Sequence, residues 1–230
     1  MHQARSAKRT ADREACLSSA PASNTEIQDR VLRVAARLFA QRGYHAVSVR
    51  DIATECGVSV STVLYRGRSK HDLLDQTLGR SFSGESSWTH LIAHLDASKL
   101  TTRQSFLATY DHVVEALVQH AIEYPYTRRL WLRLLLDKPE LFETFEAKYT
   151  WPLFRYGFEL LRAAREQGIL QADDVRIQHF VAGIDWTLNG FFCGGILGFD
   201  GQRLDSRCPQ AVTRLVDYLK AYCRVWFPAA

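Results

Sequence analysis

Between Ser48 and Lys70 the chain reads SVRDIATECGVSVSTVLYRGRSK, a stretch dense in hydroxyl and cationic side chains. Such groups hydrogen-bond to base edges and neutralise phosphates, the two kinds of contact by which proteins hold duplex nucleic acid. The punctuation of the stretch predicts two helices of about eight residues on either side of a turn at Cys56-Gly57-Val58, a helix-turn-helix spacing. Ser48 opens the first of them, with Asp51 three residues on as a variant capping box, and Gly57 ends it. Ser59 opens the second, which runs to about Tyr65 and is closed by Gly67. Ser59, Ser61, Thr62, Tyr65 and Arg66 are expected on its outer face, with Val58, Val63 and Leu64 anchoring it from behind. A single helix of this kind fits the major groove, where each base pair shows a distinct donor and acceptor pattern. A purely structural helical hairpin would have the same spacing, and spacing alone leaves the two open.

Other helices must hold this pair. Ile27, Val31, Val34, Ala35, Leu38 and Phe39 recur at three- and four-residue steps, an apolar stripe on a helix capped by Asn24 or Thr25 and stopped at Gly43. A further helix starts near Ser69 or Lys70, with Leu73, Leu74, Leu78 and Phe82 on one side. Beyond it the pattern stays helical, over 102–123, 125–137, 139–167, 173–197 and 206–226. Pro125 and Pro139 suit first turns, Gly168 suits a C-terminal stop, and Asp173 and Asp205 suit N-termini. Alternation long enough for a strand is not found, nor is an internal repeat.

Charge is unevenly placed along the chain. Residues 1–80 hold 13 Lys/Arg against 8 Asp/Glu, whereas residues 81–230 hold 16 against 17. A basic first third on a near-neutral remainder fits a polyanion partner at that end, although solvated surface charge gives the same tally.

Residues 27–74 resemble the N-terminal domain of TetR-family (tetracycline-repressor-like) regulators. The resemblance runs without gaps through Val34-Ala35-Ala36-Arg37-Leu38-Phe39-Ala40-Gln41-Arg42-Gly43-Tyr44, then Val47-Ser48-Val49-Arg50-Asp51-Ile52-Ala53, then Cys56-Gly57-Val58-Ser59, and ends on Ser69-Lys70 and Leu73-Leu74. It implies an all-α protein in which a three-helix helix-turn-helix domain precedes a larger helical domain for ligand binding and dimerisation. The division expected is a flexible arm over 1–24, a DNA-binding domain over 25–70 and the larger domain over 71–230. It also implies roles. Ser48, at a helix N-terminus, would bond a phosphate. Arg50, Tyr65, Arg66 and Lys70 would clamp the backbone, and Ser59, Val60, Ser61 and Thr62 would touch base edges or thymine methyls. One departure stands out: Arg66 and Gly67 occupy places where the family usually has His and Phe. That Phe packs the third helix on the fourth, so Gly67 should leave a hole or a different turn.

For the larger domain the resemblance implies a dimer built on the last two long helices. Trp186, Phe191, Leu215, Leu219, Tyr222 and Trp226 are the candidate interface residues. Packing of both helices within one subunit is the alternative. Aromatic side chains are dense between 82 and 158, and Phe82, Trp88, Phe106, Tyr110, Trp131, Trp151 and Phe154 are candidates for a pocket that takes an apolar or planar compound. The function implied is a ligand-responsive regulator, a repressor that releases a palindromic double-stranded DNA operator when a small apolar or aromatic effector binds.

Other classes find less support. There is no phosphate-binding loop, dinucleotide fingerprint or nucleophile elbow, so an enzyme is not expected. An interaction module with a decayed reading head stays open because of Gly67. His90 and His94 have metal-binding spacing but no evident third ligand, and the five cysteines lack a CxxC pair, so no metal or cofactor is expected. Neither a membrane span nor a signal segment is seen, and the expected location is the cytoplasm.

Overall fold

The computed structural model describes residues 23–83 and 95–227. The arm proposed over residues 1–24 lies outside them except for Ser23 and Asn24. Trp88, His90, His94 and Cys16 also lie outside the described residues.

The fold is all-α. Helix α1 spans Asn24–Arg42, α2 Val49–Cys56, α3 Val60–Gly67 and α4 Lys70–Ser83. After a short 3-10 turn at Ala97–Lys99 come α5 (Arg103–Glu123), α6 (Thr127–Asp137), α7 (Pro139–Phe145), α8 (Trp151–Glu166), α9 (Asp174–Gly194) and α10 (Pro209–Trp226). Among the described residues no helix is long and apolar enough to cross a membrane.

Local chemistry explains most of the boundaries. Ser23, rather than Asn24 or Thr25, caps α1. Its hydroxyl accepts from the Glu26 amide at 3.2 Å, and the Glu26 carboxylate accepts from the Ser23 amide at 2.6 Å. The glutamate three residues on decides between neighbouring caps. Asp173 caps α9 as expected, accepting from the Arg176 amide at 2.7 Å.

Several expected spans are corrected. Pro125 sits in the turn before α6, which starts at Thr127. The expected helix over 139–167 is interrupted by a π-helical turn at Glu146–Thr150, immediately before α8. Pro152 lies in the first turn of α8. It lacks an amide proton and crowds the carbonyl four residues back, which favours a widened turn there. Helix α9 stops at Gly194, and Ile196–Leu197 pair antiparallel with Arg203–Leu204 in a two-stranded hairpin. The Leu204 carbonyl lies where a side chain on Gly195 would have to stand, so the helix-to-hairpin corner needs glycine. Asp205 caps no helix; it accepts from the Arg207 amide in the turn before α10.

Two apolar cores result. The first joins Val31, Leu38, Phe39, Ile52, Val63 and Leu73 of α1–α4 to Leu130, Leu134 and Phe145 of α6 and α7. The second joins α5, α8, α9 and α10 around Phe106, Val114, Phe180, Leu188, Leu215 and Leu219. The helix-turn-helix is therefore rooted in helices of the larger domain. Cys56 and Cys223 are buried thiols, and Cys193 and Cys208 are half-buried ones.

Candidate nucleic-acid interface and ligand cavity

Ser48 caps α2 through a reciprocal box. Its hydroxyl accepts from the Asp51 amide at 3.1 Å and donates to the Asp51 carboxylate at 2.6 Å, and that carboxylate also accepts from the Ser48 amide. These hydrogen bonds, with Arg42 and Lys70 near by, hold the Asp51 carboxyl below its ordinary range. Gly57, in the left-handed conformation at φ 65°, turns the chain toward α3. Ser59 caps α3, accepting from the Thr62 amide at 3.1 Å, and its hydroxyl lies 2.7 Å from that of Ser61 and 2.8 Å from that of Thr62.

Helix α3 shows two distinct faces. Val63 is fully buried and Val58 half-buried, fixing the helix from behind. Ser59, Val60, Ser61 and Tyr65 are exposed, Tyr65 at 86%. Leu64, expected among the anchors, is instead 37% exposed on the outer side. Helix α3 thus packs on α2 and α4 through its inner face and presents its outer face to solvent, and Arg42, Arg50 and Arg68 are exposed as well.

Two of the expected clamping residues are partly committed. Arg66 donates to the Asn24 carbonyl at 2.7 Å and to its side-chain oxygen at 3.0 Å, tying α3 to the start of α1. These bonds brace α3 against the start of α1 and engage two of the five guanidinium N–H donors, so the brace adds to the phosphate role expected of Arg66. Lys70 donates to the His45 carbonyl at 3.3 Å and lies 4.3 Å above the Tyr44 ring. Burial lowers its pKa, which Asp51 partly offsets.

The departure at Gly67 leaves no hole. Gly67 is buried within the last turn of α3, and the Leu73 side chain occupies the space that a Cβ there would need. Arg68 follows as the helix cap with φ 42°, the one non-glycine residue among those described with positive φ. Leucine from α4 thus does the packing that a phenylalanine from α3 would have done.

Deeper in the molecule, α4, α5, α6, α8 and α9 line a partly open cavity of about 160 Å³. Phe82, Phe106, Tyr110, Trp131 and Phe154, all expected from the sequence, line it. Trp151 does not; it is 51% exposed and borders a separate groove with Phe158. Tyr110 donates its hydroxyl to the Leu219 carbonyl at 2.9 Å, so it meets the cavity as a ring.

One end of the cavity is polar, and this the sequence reading missed. Arg128 donates to Asp185 at 3.0 Å and to the Asn189 side-chain oxygen at 3.1 Å, and Asn189 donates to Asp185 at 2.9 Å. Nearby His120 is buried, with Nε2 2.6 Å from the Ser81 carbonyl. A carbonyl can only accept, so Nε2 carries the proton. Burial lowers the His120 pKa, outweighing that hydrogen bond. The available signal was the Asp185-Asn189 pair, four residues apart in the mainly apolar second half of α9.

His120 has a measurable consequence. Its folded pKa lies below the ordinary 6.5, so as pH falls through that value the unfolded chain binds a proton that the folded chain resists. Stability should be full above that pH and fall as pH drops toward the folded pKa. Urea midpoints at pH 7 and pH 5 should differ less in His120→Gln than in the parent. An unchanged difference would show that His120 does not contribute.

The expected dimer residues divide. Phe191, Leu215 and Leu219 are 3%, 2% and 0% exposed and belong to the subunit's own core, which corrects their assignment to an interface. The stripe on α10 turns toward α5, held there by Lys220–Glu115 and Arg224–Asp111 ion pairs. Tyr222 and Trp226 are half-buried around Phe180. Trp186 is exposed at 58%, as are Val175 on the same helix and Tyr218 and Val225 on α10.

Comparison with known proteins places these features. Residues 31–77 match the family model described as bacterial regulatory proteins, tetR family. An uncharacterised HTH-type transcriptional regulator, YerO of Bacillus subtilis (strain 168), is 37% identical over 49 residues, which is 21% of this chain and 17% of that protein. The match therefore spans about a sixth of the curated relative. Among solved structures, the TetR-family regulator PfmR from Thermus thermophilus superposes with a TM-score of 0.62 at 20% identity, covering 85% of this chain and 97% of that one. The hemolysin II regulator HlyIIR gives 0.57 at 19%, covering 86% and 99%. A protein from Saccharomonospora viridis, solved in complex with choline, gives 0.61 at 20%, covering 88% and 98%. At these identities the structures establish the shared fold.

Proposed function

We propose that this chain, whose residues 31–77 match the model of the tetR family of bacterial regulatory proteins, is a homodimeric repressor of that family whose operator grip is released when a small molecule enters the cavity. The observation that carries this reading is α3 itself: a helix anchored by Val63, with Ser59, Ser61 and Tyr65 turned to solvent. Ser59, Val60, Ser61 and Thr62 contact base edges or thymine methyls in the major groove, while Arg50, Tyr65 and Lys70 hold phosphates beside the N-terminus of α2. Ser48 reaches a phosphate once its proton leaves Asp51. A second copy places a second reading helix on the same duplex, which suits a palindromic operator.

Two helices support the coupling of cavity to operator. Phe82 at one end of α4 lines the cavity, while Gln76 of the same helix donates to the Arg66 carbonyl at 3.0 Å. Arg128 and Trp131 of α6 line it too, and Arg133 of that helix donates to the Gln41 carbonyl near the end of α1 at 3.1 Å. A ligand that prefers one setting of α4 and α6 alters the spacing of the reading helices, and ligand and operator affinities are then reciprocally linked.

Titration of Lys70→Ala against duplex DNA at several salt concentrations tests the clamp. Binding to every sequence should weaken, and the slope of log affinity against log salt should fall by about one. Unchanged affinity and slope in a folded variant would remove Lys70 from the interface.

A further inference from the structure

His120 carries one nitrogen that the fold does not use. Its Nε2–H is spent on the Ser81 carbonyl at 2.6 Å, which leaves a bare lone pair on Nδ1. Nδ1 hydrogen-bonds no described residue. The ring is held beside Phe82 and Tyr124, with centroids at 6.1 and 5.1 Å. His120 is 5% exposed and lines the cavity. Among the described residues, the unpartnered side-chain atoms sealed from any water-sized group are Arg66 Nε and Arg128 Nε. Nδ1 is not one of them, so a small group reaches it, and the cavity is the space that His120 borders.

Nδ1 is thus a fixed acceptor, and it selects a donor. Neighbouring groups are spent. The Tyr110 hydroxyl is used by Leu219, both Asp185 oxygens by Arg128 and Asn189, and the Asn189 oxygen by Arg128. Charge narrows the donor. Arg128 is the one lysine or arginine among the described lining residues, and Asp185 at 3.0 Å offsets it. Burial keeps His120 neutral, against the Ser81 bond and Glu123, and Arg128 acts with burial. An ammonium donor would meet that cation and find Asp185 already satisfied. A carboxylate has no proton to give, and its charge would face the Nδ1 lone pair. A hydroxyl gives a proton while staying neutral, and its oxygen lone pairs suit the guanidinium near by.

Size narrows it further. Phe82, Phe106, Tyr110, Trp131 and Phe154 supply flat apolar walls. An apolar cavity of about 150 Å³ takes one benzene ring, close to the volume available here. We infer that the cavity takes a neutral single-ring phenol whose hydroxyl donates to His120 Nδ1. Its role as effector rests on the reading of the cavity given above.

The test is calorimetric titration of the full chain at neutral pH with phenol, toluene (methyl in place of hydroxyl), benzoate and benzylammonium. Phenol should bind at least about tenfold more tightly than toluene, because the methyl group leaves Nδ1 unmet. It should also bind more tightly than both charged probes. In folded His120→Phe the phenol-to-toluene ratio should drop at least about tenfold while toluene affinity holds. A second readout needs no variant: the Nδ1 resonance of histidine-labelled protein should move with phenol far more than with toluene. Toluene binding as tightly as phenol, a charged probe binding best, a ratio that survives His120→Phe, an unmoved Nδ1 resonance, or binding of none of the four would overturn the inference. The effector reading is tested apart from it, since bound phenol should weaken affinity for a duplex selected from a random pool. Phenol bound at His120 with DNA affinity unchanged would remove the effector reading and leave the ligand assignment standing.

Discussion

Replacing Gly67 with phenylalanine, the residue that the tetR resemblance leads one to expect there, will destabilise the protein by about 3 kcal/mol or more. The reason is steric. Leu73 fills the volume any side chain at position 67 would need, and Leu73 is itself fully buried. Leu73→Ala on its own should cost about 2–5 kcal/mol by opening a cavity in the same place. Combined, the two changes should cost less than their sum, with a coupling of about 0.5–3 kcal/mol, because the phenyl ring can enter the space leucine vacates. Chemical denaturation of the four proteins gives that coupling. Additive costs would mean that the two residues do not share one site, and a harmless Gly67→Phe would mean that α3 and α4 can move apart freely.

Arg128→Met is the second large effect. Arg128 and Asp185 side chains are 15% and 30% exposed, so removing the cation strands a mostly buried carboxylate. The cost should be about 3 kcal/mol, at the low end for broken buried pairs because Asp185 keeps some solvent. For a chain of this size, that is a fall in Tm of about 6–12 °C. Removing the whole cluster in Arg128→Met/Asp185→Leu/Asn189→Leu should recover much of the loss, since apolar replacements of a buried pair are often neutral or stabilising. A triple variant less stable than Arg128→Met would show that Asp185 and Asn189 hold the fold through contacts other than Arg128.

The readability of this chain follows the distance over which each feature is decided. The caps at Ser48 and Ser59 and the turn at Gly57 are legible because the groups that satisfy one another lie within three or four residues. Helix stripes are legible for the same reason. A stripe, however, does not say what it faces. The α10 stripe reads as a partner interface and packs on α5 instead, because the pairing of Lys220 with Glu115 joins residues 105 apart. Arg66 reads as a phosphate clamp, and its bond to Asn24, 42 residues away, is not legible in the sequence. The polar end of the cavity joins residues 57 and 61 apart across two helices. Of the hole or different turn expected at Gly67, the hole is filled by a leucine of the neighbouring helix, while the turn does differ, with Arg68 at φ 42°; the filling is visible only once α3 and α4 are packed. Short-range chemistry thus locates the reading head, whereas the cavity and the free faces of α9 and α10 need tertiary structure.

The outer face of α3 is the centre of the functional reading, and a single binding measurement reaches it. A duplex is selected from a random pool with the parent protein, and its affinity is then measured by fluorescence anisotropy for the parent and for a folded Val60→Ala/Ser61→Ala/Thr62→Ala variant. The selected duplex should lose about a hundredfold in affinity or more and become indistinguishable from unrelated DNA, whose weaker binding should scarcely change. A variant that holds the selected duplex as tightly as the parent would contradict the assignment of α3 as the element that reads sequence.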